Sequence, residues 1–312
     1  MIETRTVLIL GAGASIPYGY PSGSDLKNYI IGLLTNIQSH YSWIDKSNIP
    51  KEKIDNFIVK LERSDAPSID IFLENQNNKT FTEIGKKAIV NVISDSENPY
   101  ILANPTFNDG DNDHWYQYFG RKLLRGDIEE ITSNISIVTF NYDRSLETYL
   151  IRALANNYGE IYDYSDSARV IDKIPIIHMY GELDPLPCQS KYGRDYGEEC
   201  TVENIIKLSD NINLIHEAEN LGTIDGANNF IEDSDRVYFL GLDLYNNQGN
   251  IDLLDLSSLK SKKVLATAYQ LKTAERIMIK NYFIKKGCKQ LNSFVGNFDQ
   301  KSLVSIREYL PL

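Results

Sequence analysis

Cysteine is scarce in this chain, and the little there is does not pair. Cys188, Cys200 and Cys288 form no CxxC element in 312 residues, so neither a structural zinc site nor a disulfide framework is expected. An odd, sparse set of thiols is the pattern of a reduced, cytoplasmic protein. No apolar run approaches the roughly 20 residues of a membrane span, and "TVLIL" is too short for a signal-peptide core. A basic stripe is missing as well, since 32 Lys and Arg stand against 43 Asp and Glu for a net charge of -11. Direct nucleic-acid binding is not expected of such a chain, because neutralising phosphates needs clustered cations. A GxSxG elbow, a Walker lysine and an HExxH helix are all lacking, which removes those hydrolase and phosphoryl-transfer templates. His40, His114, His178 and His216 show no metal-ligand spacing, and no metal is expected.

What is present reads as a soluble α/β protein. Hydrophobic residues make up 42% and charged residues 24%, both ordinary for a globular domain. Thr4 to Leu10 is a β-rich apolar run ending on Gly11, which predicts a buried first strand. "PSGSDLKNYIIGLL" then supplies a Ser24 or Asp25 cap and the helical spacing of Leu26, Tyr29, Ile30 and Leu33. From Lys51 to Ser94, helical stretches alternate with polar breaks, so a helical insertion is expected over residues 45–130. Further strands are expected at Ser136–Phe140, Ile174–Gly181, Arg236–Leu242 and Lys262–Tyr269. Helices are expected near Tyr116–Leu124, after Asp143, over Val202–Leu221, from Thr273 and over Lys301–Tyr309. Alternating strands and helices predict one Rossmann-like parallel sheet, residues 1–312, covered on both faces.

In such sheets ligands bind beyond the carboxyl ends of the strands. Three expected ends carry unusual polar residues: "GAGAS", "FNYD" and "HMYG". Gly11 and Gly13 would let backbone N–H groups approach a pyrophosphate, with Ser15 adding a hydroxyl; a tight turn without a ligand is the plainer reading. Asn141 offers paired donor and acceptor groups to a water or a ribose hydroxyl. Asp143 suits either a helix cap or the site. His178, inside an apolar strand, is either a hydrogen-bonded core residue or a general base, and alternation puts Tyr180 on its face.

The order of these motifs resembles the sirtuin superfamily. "GAGAS" followed by "GYPSG" is similar to the NAD loop of that family, "TFNYD" to its Asn-bearing strand end and "IIHMYGEL" to its His-Gly strand. "FLGLDLYNNQGNIDLL" resembles the segment that closes the adenosine side; "VLATAYQLKTAE" and "SIDIFLE" resemble segments of the bacterial branch. The nearer likeness is to bacterial sirtuin-like effectors of antiphage defence, which hydrolyse NAD and lack the four-cysteine zinc module of the deacylases. The resemblance implies cleavage of NAD to nicotinamide and ADP-ribose without a metal. It implies catalytic roles for Asn141, Asp143 and His178 or its neighbour. Cofactor contacts are implied for Gly11, Ala12, Gly13, Ala14, Ser15, Pro21, Asp25, Tyr180, Gly241 and Asn250. It also implies control through a homo-oligomer or a partner such as a HerA-like ATPase. One departure stands out: the family histidine often directly precedes the glycine, where this chain has Tyr180. That leaves a second reading, an NAD- or ADP-ribose-binding regulatory subunit without efficient turnover. A conventional NAD oxidoreductase fits poorly, because Ile16 replaces the third fingerprint glycine and no ribose-binding acid follows.

Overall fold

Thr6 to Leu10 are five consecutive buried residues, and a strand buried on both faces needs cover above and below it. In the computed structural model this strand, β1 (Thr6–Leu10), pairs in parallel with β2 (Ile135–Thr139) and β4 (Arg236–Leu240), so that Leu10, Thr139 and Leu240 end level with one another. Outside these lie β3 (Ile176–His178), β5 (Lys263–Ala268) and β6 (Ser293–Gly296), in the order β3-β2-β1-β4-β5-β6, every pairing parallel. This is the strand order of the doubly wound, Rossmann-like α/β sheet, and its winding reverses between β1 and β4. The structure describes residues 2–36, 41–105, 115–124, 132–159, 161–214, 217, 222–245, 249–268, 271–286, 288 and 293–296.

Between β1 and β2 the chain is helical where the sequence predicts it, including Lys51–Glu62, Ile69–Gln76, Lys79–Asp95 and Trp115–Leu123. Phe57 meets Phe72 and Phe81 edge-on at 5.6 and 5.3 Å, and these rings share one buried cluster with Leu8, Ile137 and Phe239 of the sheet. The first helix, Gly23–Thr35, starts earlier than expected. Its cap is Ser22, whose hydroxyl accepts the Asp25 N–H at 3.1 Å, rather than Ser24 or Asp25. Two further expectations need correction, and one strand is not predicted at all. β3 stops at His178 instead of Gly181, because Gly181 adopts φ +76° and turns the chain away. β6 had no counterpart in the sequence reading, since "SFVG" is too short to show a period. The helix from Val202 ends at Ser209. The expected helix over Lys301–Tyr309 lies outside the described residues, as do His40, His114 and His216.

A buried charge cluster holds the inserted helices against the irregular segment after β3. Glu97, with no exposed side-chain surface, accepts from Arg144 at 2.8 and 3.0 Å, from Arg194 at 2.9 Å and from the Gly197 N–H at 3.0 Å. Arg144 also donates to the carbonyls of Asp184, Pro185 and Arg194. Removing one member of such a set strands the others, at a cost of about 3–5 kcal/mol.

At the reversal point two loops touch backbone to backbone. Gly11 donates to the Leu240 carbonyl at 2.9 Å and Gly13 to the Gly241 carbonyl at 2.8 Å. A Cβ on Gly13 would stand 2.8 Å from both Cα and O of Gly241, and a Cβ on Gly241 would stand 2.1 Å from the Ala14 nitrogen. Gly13→Ala is therefore expected to destabilise by about 1–3 kcal/mol in urea unfolding. Gly241→Ala should lose more, because Gly241 also sits at φ +68°. Gly32, in an exposed helical turn, has open space around its missing Cβ, and Gly32→Ala should stabilise by about 0.5–1 kcal/mol. Unchanged stability in Gly13→Ala would refute the close-packing account.

Candidate functional site

The level strand ends frame a cleft of about 640 Å³ at the carboxyl edge of the sheet, within the roughly 300–1,000 Å³ of small-molecule sites. Its lining includes Gly11, Gly13 and Ser15 after β1, Asn141 and Asp143 after β2, and Gly241 after β4. Parallel pairing brings these three loops together from positions about a hundred residues or more apart.

The loop after β1 is a pair of short 3-10 turns, Ala12–Ala14 and Ile16–Tyr18. Trp115 holds its outer side by donating its indole N–H to the Ala14 carbonyl at 2.8 Å. Tyr18 stacks on Tyr116 with ring centroids 3.6 Å apart. Gly11 and Gly13 spend their own N–H groups on the end of β4 and the loop after it, so both glycines serve loop-to-loop packing. Ala12, Gly13 and Ser15 line the cleft; Ala14 does not, its Cβ being buried behind the loop. Pro21 lines it too. Asp25 does not, since its carboxylate accepts from the Ser22 hydroxyl at 2.6 Å within the first turn of its helix.

Asn141 bridges the loops. Its Nδ2 donates to the Gly11 carbonyl at 3.0 Å and to the Ser15 hydroxyl at 3.1 Å. A carbonyl oxygen only accepts, so the group facing Gly11 is the amide nitrogen. The Asn141 Oδ1 is left without a partner among the described residues, on a side chain that lines the cleft. Asp143 is buried and lines the cleft; its Oδ1 accepts the Ser145 N–H at 3.0 Å and the Ser145 hydroxyl, but the expected Asp143 cap is corrected, since the N-cap of the helix Ser145–Asn157 is Arg144 and Asp143 stands one residue before it. Burial pushes its carboxyl pKa up, against hydrogen bonds from Ser145 and Ser15 that lower it.

On the opposite wall Tyr180 donates to the Asn250 side chain, and both line the cleft. Tyr142 donates to Asp70 Oδ1 at 2.8 Å. Asp70, at the start of the helix Ile69–Gln76, lines the cleft, and burial raises its pKa. Asp70, Tyr142 and Thr267 belong to the cleft but escaped the residue-by-residue reading. The "SIDIFLE" resemblance was the available signal for Asp70. Thr267, from β5, accepts the Gly241 N–H at 2.9 Å.

His178 is elsewhere, which corrects its expected place. It does not line the cleft; it lines a second cavity with Glu147 and Glu182. The strand ends at His178 and turns through Met179 and Tyr180, so alternation no longer relates the two side chains. Nδ1 faces the Asn141 main-chain carbonyl at 3.1 Å and Nε2 faces Glu147 Oε1 at 2.9 Å. The carbonyl accepts only, so Nδ1 donates; Nε2 faces a carboxylate and carries a proton or another cation, either of which occupies the lone pair that base catalysis would need.

No protein-family model matches the chain, and no curated protein matches it. Among the described residues no helix is long and apolar enough to cross a membrane.

Burial pushes the His178 pKa down, but Glu147, Glu182 and the Asn141 carbonyl outweigh it and bring it from 6.5 to about 9. A raised folded-state pKa gives stability that is complete below the unfolded value and lost as pH rises through the folded one. The stability gap between the protein and its His178→Gln variant should therefore be largest below pH 6.5 and shrink as pH rises through about 9. Melting temperatures across that range measure it; a gap independent of pH would exclude the imidazolium.

Proposed function

We propose that the protein is an NAD glycohydrolase, cleaving NAD to nicotinamide and ADP-ribose in the cleft at the reversal point. The observation that carries this reading is the Asn141 amide. Its donors are fixed on Gly11 and Ser15, so its Oδ1 is the acceptor presented to a ribose hydroxyl or to water. The place of the cleft supports the binding half of the proposal, because sheets of this order hold dinucleotides there. The motif order shared with sirtuin-like NAD hydrolases of antiphage defence supports the reaction.

In the reaction the nicotinamide–ribose bond breaks with its electron pair going to the pyridinium nitrogen. Nicotinamide leaves neutral, so no strong general acid is needed. Water adds to the oxocarbenium-like carbon and loses a proton. With His178 outside the cleft, we assign that proton to Asp70, a carboxyl whose raised pKa suits a base and whose charge favours the cation. Asp143, whose Oδ1 is engaged by Ser145, acts as a positioning residue. Uncontrolled NAD loss would harm the host, so control by a homo-oligomer or a HerA-like ATPase partner belongs to the same proposal.

One observation favours a second reading, a regulatory subunit that binds NAD or ADP-ribose without turnover. Tyr180 stands where the resemblance calls for histidine, and its hydroxyl is already committed to Asn250.

Nicotinamide release from NAD, followed by chromatography with the protein alone and with candidate partners, separates the two. Release is expected, with Asn141→Ala lowering it by about 10²–10³-fold and Asp70→Asn by about 10²-fold or more. NAD binding without release in any assembly would overturn the enzyme in favour of the binding subunit.

A further inference from the structure

Beside the edge strand β3 lies a cavity of about 450 Å³ that the proposed reaction does not use. Glu147, His178, Glu182 and Asp172 line it, and no described lysine or arginine does. Thr223, in the same lining, buries a hydroxyl oxygen that has no hydrogen-bond partner among the described residues.

The centre of this cavity demands positive charge. His178 Nε2 stands 2.9 Å from Glu147 Oε1 and 3.5 Å from Glu182 Oε2. A nitrogen lone pair facing two carboxylate oxygens is repulsive unless a proton or a metal ion sits among them. The other ring nitrogen is fixed on the Asn141 carbonyl at 3.1 Å. That is how proteins orient an imidazole for a metal, since the bonded N–H sets which nitrogen is left to coordinate. The three ligand atoms all lie within 4.8 Å of one another. Ligands held tetrahedrally at about 2.0–2.1 Å from zinc stand about 3.3 Å apart, and the separations of 2.9 and 3.5 Å fall on either side of that value. Magnesium and calcium prefer oxygen-only shells; one imidazole with two carboxylates suits zinc and its neighbours.

We propose that Glu147, His178 and Glu182 form a zinc-class divalent cation site with a coordination position open to the cavity. The proposal is independent of the NAD reading. It replaces the expectation of a metal-free chain, which rested on spacing along the sequence: Glu147 lies 31 residues before His178, on a different element. The proton on Nε2 and the metal compete for one place.

The test is titration of the chelator-stripped, full-length protein with Zn2+ by calorimetry, with Co2+ absorption reporting the ligand set. One zinc per chain is expected. Glu182 is 54% exposed at its side chain, so Glu182→Gln keeps the fold and should weaken zinc by about 10–100-fold or more. Glu147→Gln should weaken it at least as much, and His178→Ala should change the Co2+ spectrum. A Cys188→Ser, Cys200→Ser double variant should bind as the parent does. Absence of stoichiometric zinc, or parental affinity in Glu182→Gln and Glu147→Gln, would overturn the site, as would loss of binding in the cysteine variant.

Discussion

Where β1 and β4 end, two backbones meet with no side chain between them, and the site depends on that contact. Gly13 donates to the Gly241 carbonyl at 2.8 Å. The approach is closer than any Cβ permits, so the loop after β1 lies over the loop after β4 instead of beside it. Once it lies there, the Gly11 carbonyl and the Ser15 hydroxyl are within reach of Asn141, and the Ala14 carbonyl meets Trp115. Displacing the glycine contact would move the acceptors that fix the Asn141 amide, and with them the atom offered to a ligand.

A second constraint fixes the other side of the cleft. Arg144 directly follows Asp143 and is anchored in the Glu97 cluster with Arg194. Buried ion sets contribute little net stability against an apolar replacement, but they tolerate few arrangements. Here the cluster joins the end of the inserted helix Lys79–Asp95, the loop after β2 and the segment after β3. It therefore acts on register more than on overall stability, holding three separately built loops in one relation.

The sheet was legible in the sequence and the pairings across it were not. β1, β2, β4 and β5 are continuous apolar runs because they are buried on both faces, and continuous runs survive reading one residue at a time. The glycines were legible as places of close approach, but nothing local says what approaches; the partner was Gly241, 228 positions after Gly13 in the numbering. His178 failed for a related reason. Alternation is a property of a strand that continues, and this strand stops at the histidine. Asp70 reads locally as a first-turn helix residue, and its hydrogen bond from Tyr142, 72 positions later, ties it to the loop after β2. Local chemistry thus gives elements and candidate atoms, while their assignment to a cavity is settled by contacts over long separations.

Asn141 lines the cleft and bonds the histidine of the second cavity. Its side chain fixes the glycine loop on the cleft side, and its main-chain carbonyl accepts from His178 on the other. A carbonyl opposite a positively charged imidazole is polarised toward it, and the same hydrogen bond sets where the peptide lies. When the charge between His178 and its carboxylates changes, the strength of that bond changes with it. The two cavities are linked by this residue's backbone, by the Glu147 helix, which begins beside Asp143, and by the two-residue step from His178 to Tyr180. Each link ends on a group that lines the cleft. The histidine that a linear reading places in the cleft thus stands outside it, joined to the cleft asparagine through the Asn141 peptide.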